Sequence, residues 1–157
     1  YEESVKYLKE KGYNRYEVSN FCKGDYYSRH NLNYWKRGEY LGVGVGASSF
    51  INNRRFTNTE SIDEYVKAIL NGVVAEVYSE EIELEEQKAE YAMLLLRTEL
   101  GVVYSEYKKE FNSDFEVDFK DAIKKNQKYL QKTENGIKIK EEFLYVQNSI
   151  LVDFIDR

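Results

Sequence analysis

The sequence predicts an α+β chain in two parts, on three observations. Residues 1–70 alternate helical and extended patterns, the rest is mostly a run of helical segments, and one strong hairpin signal, Asn135–Gly136, interrupts that run. The change of character near residues 72–80 sets the expected division, with one domain over 1–75 and a second over 76–157.

Taken in order, Tyr1, Val5 and Leu8 form one stripe of a short amphipathic helix that ends at Lys9, Lys11 and Gly12. In RYEVSNF, Tyr16 and Val18 alternate with Glu17 and Ser19, which predicts a short strand. Residues 20–30 have no period and read as a loop. Asn31 is suited to cap a helix, LNYWKR, that stops at Gly38 and places Leu32 and Trp35 on one face. YLGVGVGASSF has a period of two: Leu41, Val43, Val45 and Ala47 point one way, and Gly42, Gly44, Gly46 and Ser48 the other. Glycine weakens a strand interior, so either a packed element or a ligand is expected against that bare face. NNRRFTN reads as a polar turn or loop. Ser61 and Glu64 make a capping box for a helix through Ile62, Tyr65, Val66, Ile69 and Leu70, which Asn71–Gly72 ends.

In the second part, Leu84, Lys88, Tyr91 and Leu95 mark a helix closed by Gly101, and a shorter helix covers 103–111. Ser113 with Glu116 opens a third, carrying Phe119, Ala122, Ile123, Asn126 and Leu130 on one face. A last helix runs through Leu144, Asn148, Leu151 and Ile155. Three helices, a hairpin and a closing helix make a winged-helix-like, mostly helical module. Were it a DNA reader, residues 114–130 would enter the major groove. There Lys120, Lys124, Lys125 and Lys128 are offset by Asp114, Glu116, Asp118 and Asp121, so an accessory domain that packs on protein is favoured.

Composition narrows the functions. A net charge of −5 over 157 residues argues against a nucleic-acid partner, and no apolar run is long enough for a membrane span. A single cysteine forms no internal disulfide and fits a reducing compartment, so a cytoplasmic location is expected. Proline is absent, against an average of about 5%. The chain opens without methionine, directly in a helical pattern, and reads as a piece of something longer.

Three residue groups are candidates for chemistry. Gly42, Gly44 and Gly46 are spaced G-x-G-x-G, with Ala47 where a dinucleotide fingerprint needs its third glycine and no following P-loop lysine. A phosphate cradle, a closely packed strand and a pocket floor all stay open. Cys22, His30 and Met93 are too few and too scattered for a structural zinc site or a cysteine-ligated cluster. Haem is different, because one axial imidazole suffices, and His30 is that candidate beside the plainer reading of a surface residue. Lys23 and Arg29 stand close enough in sequence to activate Cys22, which otherwise is a buried thiol. Arg29, Arg37, Arg54 and Arg55 surround the histidine stretch, either as salt links or as carboxylate binders.

The segments GYNRYEVSNFCKGDYYSRHNLNYW, YLGVGVGASSF and LLLRTELGV resemble the carboxy-terminal part of the oxygen-independent coproporphyrinogen III oxidase family of radical S-adenosylmethionine proteins. The resemblance implies that residues 1–70 are the terminal strands and helices of a partial (β/α) barrel and that 80–157 are the trailing helical domain. It also implies a [4Fe–4S] cluster and S-adenosylmethionine in a full-length protein. The three cluster cysteines of the family are missing here, so this chain alone is expected to be inactive. True oxidases decarboxylate coproporphyrinogen, whereas a subgroup carries haem. The haem-chaperone signature H-N-x-x-Y-W is met by His30, Asn31, Tyr34 and Trp35, which implies His30 as the ligand to haem iron. At the S-adenosylmethionine pocket the resemblance places Cys22, where alanine is usual, and Ser48. Gly44 and Gly46 are expected to let that cofactor approach the backbone. The expected function is therefore that of a carboxy-terminal fragment of a haem chaperone-like protein. Haem or porphyrinogen is the expected ligand and a haem-recipient protein the expected partner. A true oxidase fragment and a non-catalytic interaction module are the alternatives.

Overall fold

The computed structural model describes residues 1–155, which fall into two compact units: residues 1–37 together with the chain from Lys88 onward, and residues 38–87. The expected division at 75/76 lies inside the second of these, just ahead of a strand at Glu76–Glu81. All strand pairings among the described residues are antiparallel.

The first unit opens with α1 (Glu2–Glu10), whose Val5 and Leu8 are the half-buried stripe, and the chain leaves it through Gly12 at φ +79°. A two-strand ribbon follows, β1 (Asn14–Arg15) and β2 (Phe21–Cys22), pairing Asn14 with Cys22 and Arg15 with Phe21. The alternation read from Tyr16 and Val18 is inverted here: Arg15 and Glu17 are buried, Tyr16 and Val18 only half-buried. The cause is electrostatic. Arg15 donates to Glu99 Oε1 at 3.1 Å, to the Glu141 carbonyl at 3.2 Å and to the Tyr1 hydroxyl at 2.8 Å. Glu17 bridges to Thr98 in the backbone and accepts from Ser19. A charge is buried where such partners satisfy it. Burial alone would lower the Arg15 pKa, but the bonds from Tyr1 and Glu99 more than offset that and raise it.

Helix α2 (Arg29–Trp35) begins earlier than Asn31. Ser28, in extended backbone, is the cap, and its hydroxyl accepts from the Asn31 N–H at 3.2 Å. Serine accepts at this position without occupying a helical residue.

In residues 38–87 the expected strand over 41–47 is absent. The segment is a loop, with Gly44 at φ +110° and Gly46 at +65°. The strand is β3 (Ser48–Ile51), and β4 (Arg54–Asn58) and β5 (Glu76–Glu81) complete a sheet of order β3-β4-β5. Asn52 and Asn53 both take positive φ and join β3 to β4, the conformation of a two-residue hairpin turn, in a stretch that reads only as a polar loop. Helix α3 (Ile62–Leu70) starts on Ser61 as expected, but none of its residues is buried. The apolar stripe of Ile62, Val66, Ile69 and Leu70 is on the surface, as are Leu41 and Val43.

The chain from Lys88 onward holds the core of the first unit. Helix α4 (Leu84–Leu95) leads through β6 (Val102–Val103) into α5 (Tyr104–Phe111). The single helix expected after Ser113 is two, α6 (Phe115–Asp118) and α7 (Lys120–Lys125), broken at Phe119 and capped by Asp114. The hairpin at Asn135–Gly136 is present as β7 (Leu130–Lys132) and β8 (Gly136–Ile139), with residues 133–135 as its loop. Neither Asn135 nor Gly136 takes positive φ, so the turn is not type I′. A 3₁₀ segment (Glu141–Val146) runs into α8 (Gln147–Ile155). Tyr107, Phe115, Phe119 and Phe154 meet within one core, with ring centroids 4.6–6.5 Å apart. Tyr107 donates to Asp118 at 2.7 Å, and Lys88, also buried, pairs with the same carboxylate at 3.1 Å.

Candidate functional site

The candidate residues are divided between the units: Cys22 and His30 belong to one, Gly44, Gly46 and Ser48 to the other. Each group is built by its own unit.

Helix α2 presents His30. Successive residues turn by about 100°. Leu32 is buried and Trp35 half-buried on the side that seats the helix, as the sequence predicts. His30 and Tyr34, four residues apart, then share the opposite face, and both are exposed. The Tyr34 hydroxyl lies 3.1 Å from His30 Nε2, and the rings meet edge to face with centroids 4.8 Å apart. An exposed imidazole held by one neighbour can serve as an axial donor to haem iron. Cys22 is buried, and its thiol donates to the Gly24 carbonyl at 3.4 Å.

The glycine loop of residues 38–87 is tied down from within. Gly44 N–H donates to the Tyr65 hydroxyl at 3.1 Å, Asn58 donates to the Gly44 carbonyl at 2.9 Å, and Gly46 N–H donates to the Thr59 carbonyl at 2.8 Å. Ser48 Oγ is bonded to Thr57 Oγ1 at 3.0 Å. A Cβ on Gly42 would sit 2.2 Å from the Ser48 carbonyl oxygen, so the close neighbour that this glycine needs is the chain's own backbone. A Cβ on Gly44 would meet no atom within 4 Å, which leaves that side of the loop open.

The backbone groups of Gly44 and the N–H of Gly46 are therefore engaged by bonds within this unit, while the side of Gly44 where a Cβ would stand is open. A [4Fe–4S] cluster does not fit the residues present: the chain has one cysteine, and among the described residues no group of three or more His, Cys, Asp or Glu is placed to hold a metal ion. Haem asks for a single donor, and the exposed imidazole of His30 is of a chemistry that fits that demand.

Of the arginines, Arg37 donates to Glu90 at 3.2 Å, Arg54 pairs with Glu76, and Arg55 pairs with Glu80 at 3.0 Å, so their carboxylates come from the chain itself. Sequence reading passed over two features. One is Tyr34 as the partner of His30, which the four-residue spacing signals. The other is the Arg15 network beside a cleft of about 430 Å³ walled by Tyr1, Val5, Lys9, Arg15, Glu141 and Tyr145, for which no local signal exists.

No family model matches the chain. Its mixed α/β arrangement is that of the C-terminal portion of a radical-SAM barrel followed by a helical subdomain. A structure described as coproporphyrinogen III oxidase from Escherichia coli, a radical SAM enzyme, superposes with a TM-score of 0.74 at 16% identity, over 99% of this chain and 40% of that one. In sequence, the chain is 31% identical to the heme chaperone HemW of Lactococcus lactis, over 99% of its own length and 41% of the relative's. It is 30% identical to the mitochondrial radical S-adenosyl methionine domain-containing protein 1 of Bos taurus, over 100% of its length and 38% of the relative's. The chain is thus distantly related to the HemW/HemN radical-SAM family, which is linked to haem metabolism, and it spans about 40% of the length of the relatives it matches. No described helix is long and apolar enough to cross a membrane.

Proposed function

We propose that the chain is the carboxy-terminal portion of a haem chaperone-like protein, acting in the cytoplasm, and that His30 is its ligand to haem iron. One observation carries this reading: H-N-x-x-Y-W is complete over residues 30–35 and folds as a helix whose buried Leu32 turns the imidazole outward. Two relatives at 30–31% sequence identity are named as haem chaperones, while the likeness to the oxidase, at 16% identity, is one of fold. In this reading Ser28 fixes the start of the helix, Leu32 and Trp35 hold it, and His30 offers a nitrogen to haem that a recipient protein later takes. A bound cluster with S-adenosylmethionine would supply radical chemistry to the full-length protein. Gly44, whose open side leaves its backbone approachable, is proposed only as a wall near that cofactor.

Titration of the chain with ferric haem tests the proposal. A Soret shift typical of histidine ligation is expected, and His30→Ala should abolish it. An unchanged spectrum and affinity in that variant would remove His30 as the ligand.

A further inference from the structure

The contact between Tyr34 and His30 bears on how haem is held, and the inference drawn from it rests on the haem reading above. The phenol oxygen lies 3.1 Å from Nε2, the ring nitrogen farther from the backbone and so the more accessible to a bulky macrocycle. We propose that Tyr34 caps the iron-ligating nitrogen of His30: its O–H donates to Nε2 in the haem-free chain, and haem must displace it.

The helix makes this pairing unavoidable. Residues four apart differ by about 40° around a helix, whereas Leu32 lies about 160° to 200° from both. Seating Leu32 in the interior sends the two rings out together, and both are exposed. There they stand edge to face, at 81° between ring planes, an arrangement that favours aromatic pairs. The imidazole is thereby held in one orientation, with Nε2 directed at a hydroxyl.

A neutral imidazole has one protonated and one bare nitrogen. If the phenol donates to Nε2, the proton resides on Nδ1, which is the tautomer that iron ligation through Nε2 requires. The cap therefore prepares the correct tautomer while it competes with the metal. Exposed side chains change rotamer in picoseconds to nanoseconds, so the cap does not slow the arrival of haem. It lowers apparent affinity by the fraction of chains left uncapped. A carrier that must hand its cargo on gains from such a competitor, because the phenol reoccupies Nε2 as the iron leaves.

Tyr34→Phe keeps the ring against the imidazole edge and deletes only the hydroxyl. Ferric haem titrations should show about fivefold tighter binding than the unmodified chain, the factor expected for one neutral hydrogen bond of ordinary net strength. The Soret position should not change. Tyr26→Phe, at an exposed tyrosine ahead of the same helix, should leave affinity unchanged. In the haem-free chain, nitrogen NMR should report Nδ1 protonated and Nε2 bare, and Tyr34→Phe should erase that preference. Equal or weaker haem binding by Tyr34→Phe, or a protonated Nε2 in the haem-free chain, overturns the cap. Failure of the haem reading looks different: His30→Ala then binds haem with an unaltered spectrum, and the nitrogen shifts alone decide whether Tyr34 caps the ring.

Discussion

Residues 88–155 bury Tyr107, Phe115, Phe119 and Phe154 against one another, whereas residues 38–87 leave Leu41, Val43, Ile62, Val66, Ile69 and Leu70 exposed. The two regions are held by different means. In the first, apolar area removed from water and dense aromatic packing dominate. In the second, backbone register does most of it: three antiparallel strands, an Asn52–Asn53 turn, and a loop pinned by Asn58, Thr59 and Tyr65. The lesson is that helical periodicity in a sequence marks an apolar face without saying that this same chain covers it. Helix α3 has as clear a stripe as any in the molecule and buries none of it.

Four measurements would sharpen or break this contrast. The largest effect is expected from Phe154→Ala, fully buried among Phe115 and Phe119, at about 3–5 kcal/mol of unfolding free energy by urea denaturation. A loss under about 1 kcal/mol would deny that the aromatic cluster is the main source of stability.

Next comes alkaline pH. Burial, followed by the nearby carboxylates of Glu106 and Glu110, pushes the Tyr91 hydroxyl up to about 12 from its ordinary value of 10.0. The folded chain then keeps a proton that the unfolded chain releases, so this contribution is whole below pH 10 and is lost as pH rises toward 12. The loss is on the order of 2 kcal/mol, seen as a falling melting temperature above pH 10, with Tyr91→Phe flattening the decline. An equally steep decline in Tyr91→Phe would assign it to other groups.

Gly42→Ala should cost about 1–3 kcal/mol, because the new Cβ meets the Ser48 carbonyl and the strand must shift. Neutral behaviour there would mean that the loop is not fixed by backbone contact. The smallest change belongs to Val43→Thr on the exposed loop, within about 0.5 kcal/mol, accompanied by weaker binding of a dye that reports exposed apolar surface. A loss as large as that of Phe154→Ala would erase the difference between the two regions.

Much of the helical framework was legible because its signals are local. Ser61 caps α3 through its hydroxyl, Gly12 ends α1 at positive φ, and the stripe of Tyr91 and Leu95 marks the buried face of α4. What failed depended on distant partners. The burial of Arg15 and Glu17 follows from Glu99, Glu141 and Thr98, more than eighty residues away in sequence from their partners. Residues 41–47 alternate like a strand, yet positive φ at Gly44 and Gly46 turns them into a loop and exposes the apolar side chains. Strand β5 went unread because its edge position exposes most of its side chains and leaves no alternation to find. At the candidate site, the identity of His30 and its spacing from Tyr34 were visible, but not the direction in which the helix turns them.

By itself the sequence determined which residues can do chemistry, a lone imidazole and a lone thiol, and it excluded a cysteine-bound cluster on this chain, because ligand number is a property of composition. It determined the boundaries at Gly12 and Ser61 too, since caps and glycine stops act over three or four residues, whereas α4 ends at Leu95, ahead of the expected stop at Gly101. Only the tertiary structure decided what is inside. An arginine is buried when two carboxylates and a carbonyl converge on it, and an isoleucine stays outside when no described part of its own unit comes to cover it. Burial is a sum over neighbours brought together by folding, and no short stretch of sequence contains that sum.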